Sequence, residues 1–462
     1  MRKLGYWATF IAFIAVCGLY VSALLPEFGV SVPSFSPPAV LQPDASAAPA
    51  ETPVSEKPVS KVPPATEDVT YTPTQPSAAV EVSVEEVVAE ENDSGEMTAE
   101  DIRERERIGL TDESIRQMLA DMRGHYHFDR LTDSERLLYV ELYQIMTEYA
   151  SAIVVSSKSP PVIEKIFQCV LNDHPQIFYV VGYRYTRYSL EGETKKINFT
   201  ASYSIGVEEM QRRQKQIDAY VQTCRANMPI GTGIDEYGKV KYVYEYLINN
   251  TEYDLNAPDN QNICSVFLGG RSVCQGYAKA TQYLLNKLDI KATLVMGKVT
   301  SGESHAWNLV EIDGDYYYVD STFGDASYQG DTGGAPSTSW NSQSVWPINY
   351  DYLNVTTAQI NVSHKAEPIV PLVECVATAN NYYVREGLLF DLIDEYRLQE
   401  IFNREYARGS QYLTLKCANS LVFAEMMEFL IEQQNIFNYL QNAEGVVRYV
   451  DSREQLSISF WL

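Results

Sequence analysis

The 462-residue chain is too long for one ordinary domain and long enough for two with a linker. Its 45% hydrophobic residues can fill a sizeable core, while 61 Asp and Glu against 36 Lys and Arg leave a formal net charge of -25. Such a surface repels phosphate backbones, so no nucleic-acid partner is expected. Seven cysteines without a Cys-x-x-Cys pair are too few for a dense disulfide framework.

Arg2 and Lys3 precede an apolar run over residues 7–25, near the minimum that spans a bilayer as a helix. Positive charge on the N-terminal side predicts the N-terminus inside and everything beyond residue 25 outside. Two readings stay open. One is an uncleaved signal anchor, favoured by the continuation of the run through Leu24 and Leu25. The other is a signal peptide cut within Val21-Ser22-Ala23. The expected location is the cell membrane, single-pass with the C-terminal part outside, or the exterior if the segment is removed. Residues 26–98 are rich in Pro, Ala, Ser, Thr, Val and Glu and cannot bury enough apolar area to offset their ordering entropy. They read as a disordered stalk.

Residues 99–230 read as a helical and β-hairpin region. A helix is expected over 114–123. Thr132-Asp-Ser-Glu135 has capping-box form ahead of one long apolar-periodic stretch, and Pro160-Pro161 can open another helix. Two β-like runs, QIFYVVGYRYTRYSL and KKINFTASYSI, flank a Gly-containing turn. Helices follow over 206–227 and 234–250. The second carries Val240, Val243, Tyr244 and Leu247 as one apolar face.

Residues 231–367 hold the informative motifs. Cys274 sits at the expected first turn of a helix, with Tyr277, Leu284, Leu285 and Leu288 available for burial. The positive dipole end and free N–H groups there favour a thiolate and can face an oxyanion. KATLVMGKV, SHAWNLVEI and YYYVDST read as strands, the last two joined at Asp313-Gly314. A two-residue turn there pairs Ile312 with Asp315, His305 with Thr322 and Trp307 with Asp320. His305 and Asp320 then share a face as diagonal neighbours, about 7–8 Å apart at the backbone and within side-chain reach. A three-residue turn would put them on opposite faces. Taken singly, each of these residues reads as packing or turn chemistry. Together they specify nucleophile, base and orienter. A metal site is the rival constellation, and it lacks ligands at metal-site spacing: His125 and His127 lie far upstream, while His174 and His364 are isolated. No metal and no cofactor are expected.

The blocks RSVCQGYA at 271–278, SHAWN at 304–308 and YVDST at 318–322 resemble the bacterial transglutaminase-like superfamily, in that family's order. YVYEYLINNTEYD at 242–254 is similar to the helix that precedes the core in these proteins. The resemblance implies an α+β, papain-like fold with the cysteine helix packed on an antiparallel sheet. It implies acyl transfer through a thioester on protein or peptide amides, with Cys274 attacking, His305 managing protons and Asp320 fixing the imidazole. Gln275 and Trp307, beside the nucleophile and base, are expected near substrate and oxyanion. The acceptor is an amine in cross-linking or water in hydrolysis. The expected substrate is an extracellular or cell-wall protein or peptide. A non-catalytic peptide- or wall-binding module on the same fold is the alternative. Residues 368–462 read as a small α+β domain without chemistry of its own.

Overall fold

Strand alternation and helix caps define the N-terminal part of the folded chain. The computed structural model describes residues 81–89, 95–229, 233–325, 348–441 and 445–462. The apolar run at 7–25 lies outside them, and no described helix is long and apolar enough to cross a membrane. The first sheet contains β1 (Glu81–Val88), β2 (Ile153–Val154), β3 (Val180–Leu190) and β4 (Glu193–Tyr203) in the order β1-β3-β4-β2. β1 lies inside the segment read as stalk, so order begins earlier than composition indicated. Its Val-rich alternation lets it pair in parallel with β3 from Glu81↔Gly182 to Val88↔Ser189. The β3–β4 hairpin turns at Glu191 and Gly192, both at positive φ, as a tight two-residue turn requires.

Five helices accompany this sheet: α1 (Ala99–Arg107), α2 (Asp112–Asp121), α3 (Tyr126–Asp129), α4 (Asp133–Thr147) and α5 (Pro160–Asp173). Thr98 and Thr132 close capping boxes with Asp101 and Glu135, and Pro160 and Pro161 occupy the first turn of α5. The long apolar stretch after Thr132 is not one helix. α4 stops at Thr147, the backbone turns left-handed at Tyr149 and Ala152, and Ile153 enters β2.

The central region begins with α6 (Val207–Asn227), α7 (Glu236–Asn250) and the short α8 (Ile263–Phe267), with β5 (Glu252–Tyr253) paired to β6 (Arg271–Ser272). The expected apolar face of α7 is buried at all four positions, Val240, Val243, Tyr244 and Leu247. Helix α9 (Cys274–Lys287) packs across β7 (Ala292–Val299) and β8 (Ser304–Ile312). Tyr277, Leu284, Leu285 and Leu288 are buried; full burial of a Leu side chain contributes about 1.5–3 kcal/mol. β9 (Asp315–Val319), β10 (Leu353–Val355) and β11 (His364–Ala366) complete an antiparallel sheet of order β10-β9-β8-β7-β11. Asn308 on β8 donates to the carbonyl of Ala278 at 2.9 Å, tying helix to sheet. β7 and β8 are joined by residues 300–303, all exposed.

The last region forms a sheet from β12 (Leu389–Phe390), β13 (Tyr412–Cys417), β14 (Tyr449–Ser452) and β15 (Ser457–Trp461), ordered β12-β13-β15-β14, with helices Glu395–Arg408 and Ser420–Met427. Lys416 and Ser457 each reach an oxygen of Asp351 at 2.7 Å, anchoring this sheet to the central region. A continuous hydrophobic core runs from Ile108 to Phe460 through all three parts. The six described cysteines are all free thiols.

Candidate active site

Three elements place the thiol, the imidazole and the carboxylate. Cys274 is the first residue of α9 after Val273, which lies at the N-cap with an extended backbone and offers no side-chain cap. The first-turn N–H groups therefore keep their capacity for an anion, worth about 0.3–1 kcal/mol and more where partly buried. Close packing fixes this helix start. A Cβ built on Gly276 would lie 1.9 Å from Ser272 Oγ and 2.8 Å from the carbonyl oxygen of Asn260. Ser272 Oγ is itself held by Ser265 Oγ at 2.6 Å and by Asn260 O at 3.2 Å. Gly276→Ala is expected to destabilise the protein by about 1–3 kcal/mol, read as a lower urea midpoint at unchanged slope. An unchanged midpoint would show that the helix start has room to relax.

The β8–β9 hairpin adopts the register expected from its turn. Ile312 pairs with Asp315 and the ladder continues to Asn308↔Val319. Asp313 and Gly314 carry φ of 54° and 84°, the left-handed pair of a two-residue turn. β9 ends one residue before Asp320, which becomes the N-cap of α10 (Ser321–Gly324). Its Oδ1 accepts the backbone N–H groups of Thr322 and Phe323 at 2.9 and 3.1 Å. Its Oδ2 accepts His305 Nε2 at 2.7 Å. With Nε2 so occupied, Nδ1 is the nitrogen left for the Cys274 thiol, whose side chain hydrogen-bonds this imidazole.

Electrostatics follow from this packing. Burial acts to lower the His305 pKa, but the charge and hydrogen bond of Asp320, followed by those of Cys274, raise it to about 10. Burial acts to raise the Asp320 carboxyl, yet His305 and then His364 hold it well below the usual carboxylate range. Cys274 is partly exposed, whereas the other described cysteines are buried. Burial pushes the Cys169 and Cys264 thiols up to about 12, so Cys274 is the sulfur open to a substrate.

His364, read from sequence as isolated, instead joins the site. Its Nε2 lies 2.9 Å from the same Asp320 Oδ2, and its Nδ1 lies 2.8 Å from Ser363 Oγ. His305, Asp320 and His364 are the group among the described residues whose donor atoms crowd as metal ligands do, within 4.8 Å of one another. The arrangement is that of hydrogen bonds. One oxygen is shared by two imidazole nitrogens at 2.7 and 2.9 Å, the other carboxylate oxygen caps a helix, and three side chains are fewer than a structural zinc takes. The sequence signal that could have flagged His364 is weak, because only the antiparallel pairing of β11 with β7, with His364 opposite Val299, brings it to Asp320.

Trp307 is 1% exposed and lies beneath the imidazoles. Its ring centroid is 6.0 Å from His305 and 4.9 Å from His364. It forms the floor of the site, and its indole Nε1 meets no hydrogen-bond partner among the described residues. Gln275 follows the thiol in the first turn of α9 and is half-buried.

A helix bearing a thiol at its start, packed on an antiparallel sheet that presents His from one strand and Asp from just beyond the end of the next, defines a mixed α+β fold with a transglutaminase-like core. Residues 226–321 match the transglutaminase-like superfamily. Among solved structures, the chain is similar to a TGase at 16% identity, covering 35% of this chain and 55% of that one, with a TM-score of 0.23. It is also similar to a protein described as a candidate cysteine protease from Cytophaga hutchinsonii, at 17% identity over 29% of this chain and 55% of that one, TM-score 0.21. A candidate protease from Parabacteroides distasonis follows at 10% identity, over 30% and 39%, TM-score 0.19. The chain thus spans about 55% of the length of the first two. Comparison with curated proteins finds no match.

Proposed function

We propose that the protein is a thiol-dependent acyl-transfer enzyme acting on protein or peptide amides outside the cytoplasm. The observation that carries this reading is a buried His305 imidazole that meets the Asp320 carboxylate through Nε2 at 2.7 Å and interacts with the Cys274 side chain. In the proposed cycle, His305 already carries the proton given up by sulfur, and the sulfur attacks the amide carbonyl carbon. The oxygen gains the electron pair and faces the first-turn N–H groups of α9. The C–N bond then breaks, the departing amine takes the proton from the imidazolium, and a Cys274 thioester remains. An amine or water attacks this thioester as His305 takes its proton, and sulfur leaves as the thiolate. Amine as acceptor gives cross-linking; water gives hydrolysis. Asp320 keeps the ring in one tautomer throughout and stabilises the imidazolium.

The placement outside the cell is supported by the apolar run at 7–25 with Arg2 and Lys3 before it, read as a membrane anchor or a cleaved signal peptide. An extracellular or cell-wall protein or peptide is the corresponding substrate class. Incubating the full-length protein with a glutamine-containing protein and a fluorescent primary amine tests the chemistry. Incorporation of the amine or cleavage of the protein is expected, and both are lost after iodoacetamide treatment. If neither occurs and Cys274 alkylates no faster than an ordinary thiol, the fold serves as a non-catalytic binding module.

A further inference from the structure

We propose that His364 is a positioning residue of this thiol centre, holding the Asp320 carboxylate in the orientation that serves His305. The inference rests on the triad reading and adds a fourth side chain to it.

Among the described residues, the polar environment of His364 is small. The side chain is 0% exposed. Aromatic rings surround it, with centroids at 4.7 Å for Phe323, 4.9 Å for Trp307, 5.2 Å for His305 and 5.7 Å for Tyr352. Its two nitrogens have one polar partner each, Asp320 Oδ2 at 2.9 Å and Ser363 Oγ at 2.8 Å. Beyond Ser363, Tyr352 OH lies 3.2 Å from its hydroxyl oxygen, and Gln455 Nε2 donates to Tyr352 OH at 3.3 Å.

These contacts allow a continuous donor chain that ends on Asp320. With Gln455 Nε2 donating, the Tyr352 oxygen accepts, and its own O–H is available to donate to Ser363 Oγ. The Ser363 O–H then donates to His364 Nδ1, which accepts only when its proton is on Nε2. Nε2–H in turn donates to Asp320. In this direction the ring presents its Nε2–H to the carboxylate, and Ser363 holds the ring's orientation through Nδ1.

The geometric consequence concerns rotation. The Oδ1 of Asp320 is fixed by two backbone N–H groups. Were His305 its lone partner, Oδ2 could follow the imidazole as that ring moves between sulfur and leaving group. The second donor at 2.9 Å holds Oδ2 where it is, so His305 must pivot about a fixed acceptor. Hydrogen bonds to the carboxylate from two backbone N–H groups and two imidazoles leave little freedom for reorientation. Gln455 belongs to the β14–β15 turn of the C-terminal sheet, so that sheet supplies the outer end of the arrangement.

The test compares two variants in the full-length protein by the rate of Cys274 alkylation with iodoacetamide at neutral pH, with thermal melting as a check on folding. His364→Phe keeps the ring shape and removes both polar nitrogens. It is expected to slow alkylation by about tenfold or more. His364→Gln retains an N–H near the Nε2 position and is expected to stay within about threefold of wild type. A role in packing alone would not produce this split, because the amide fills the aromatic cage worse than phenylalanine does. Folded His364→Phe reacting at the wild-type rate overturns the inference, as does a His364→Gln variant as slow as His364→Phe. Should His364→Phe fail to fold, Ser363→Ala carries the test. It leaves the ring in place and removes only the hydroxyl that holds Nδ1, so an unchanged rate overturns the proposal and a reduced rate supports it. A wild-type thiol no more reactive than a free one would sink the triad reading itself. A fast wild type with an equally fast His364→Phe would sink this inference alone.

Discussion

Asp320→Asn is expected to reduce amide turnover by on the order of 10³–10⁴-fold while leaving the protein folded. Two properties of this carboxylate lead there. Its Oδ1 caps α10 through the N–H groups of Thr322 and Phe323, and an amide oxygen can take over that role. Its Oδ2 faces two imidazole nitrogens, and an amide nitrogen placed there brings donor against donor. His305 then turns to the other tautomer, with a proton where the thiol needs an acceptor. Asp320→Ala adds the loss of the cap, about 0.5–2 kcal/mol, and leaves two buried imidazoles without their common acceptor. Urea denaturation and turnover measured together separate the two effects. Near-wild-type turnover in Asp320→Asn would remove Asp320 from the proposed mechanism.

The second large effect is on pH dependence. Burial disfavours the His305 imidazolium, but Asp320 and the thiol more than offset it and raise the pKa to about 10. Amide turnover needs this proton for the leaving amine, so turnover should fall as pH rises through about 10. Alkylation by iodoacetamide needs only the thiolate and should show no such fall. Stability carries the same signature with a definite sign. The folded pKa lies above the unfolded value of 6.5, so the folded state binds the proton more tightly. The resulting stabilisation is complete below about 6.5 and is lost as pH rises from there through about 10. Melting temperatures recorded across this window should decline more steeply for wild type than for His305→Ala. Parallel decline of turnover and alkylation would show that a different group limits the alkaline side.

Local periodicity made the centre of the fold legible. Asp313-Gly314 sets a two-residue turn, and the strict alternation of a strand then fixes which of His305 and Asp320 face the same way. The buried face of α7 and the caps at Thr132 and Pro160 were similarly written in neighbouring residues. Long-range pairing was not. His364 meets Asp320 because β11 joins the far edge of the sheet beside β7, and nothing in the sequence around residue 364 encodes that edge. Composition also misplaced the start of order: the Pro- and Ala-rich character of the preceding segment masked the short Val-alternating stretch of β1. The division of the apolar stretch after Thr132 escaped notice because left-handed backbone at Tyr149 and Ala152 has no side-chain signature there.

The connection between β7 and β8 has a practical corollary. Residues 300–304 are exposed, and the next residue is His305 at 3% exposure. The chain thus passes from solvent to the proton-handling ring in a single step. Exposed side chains in this connection can vary at little energetic penalty, while Thr300 N–H, which donates to Ser363 O at 3.0 Å, and Gly302, at a φ of 91°, fix its backbone. A library at those side chains would reshape the surface beside the ring, which makes it the natural place to retune what reaches the centre.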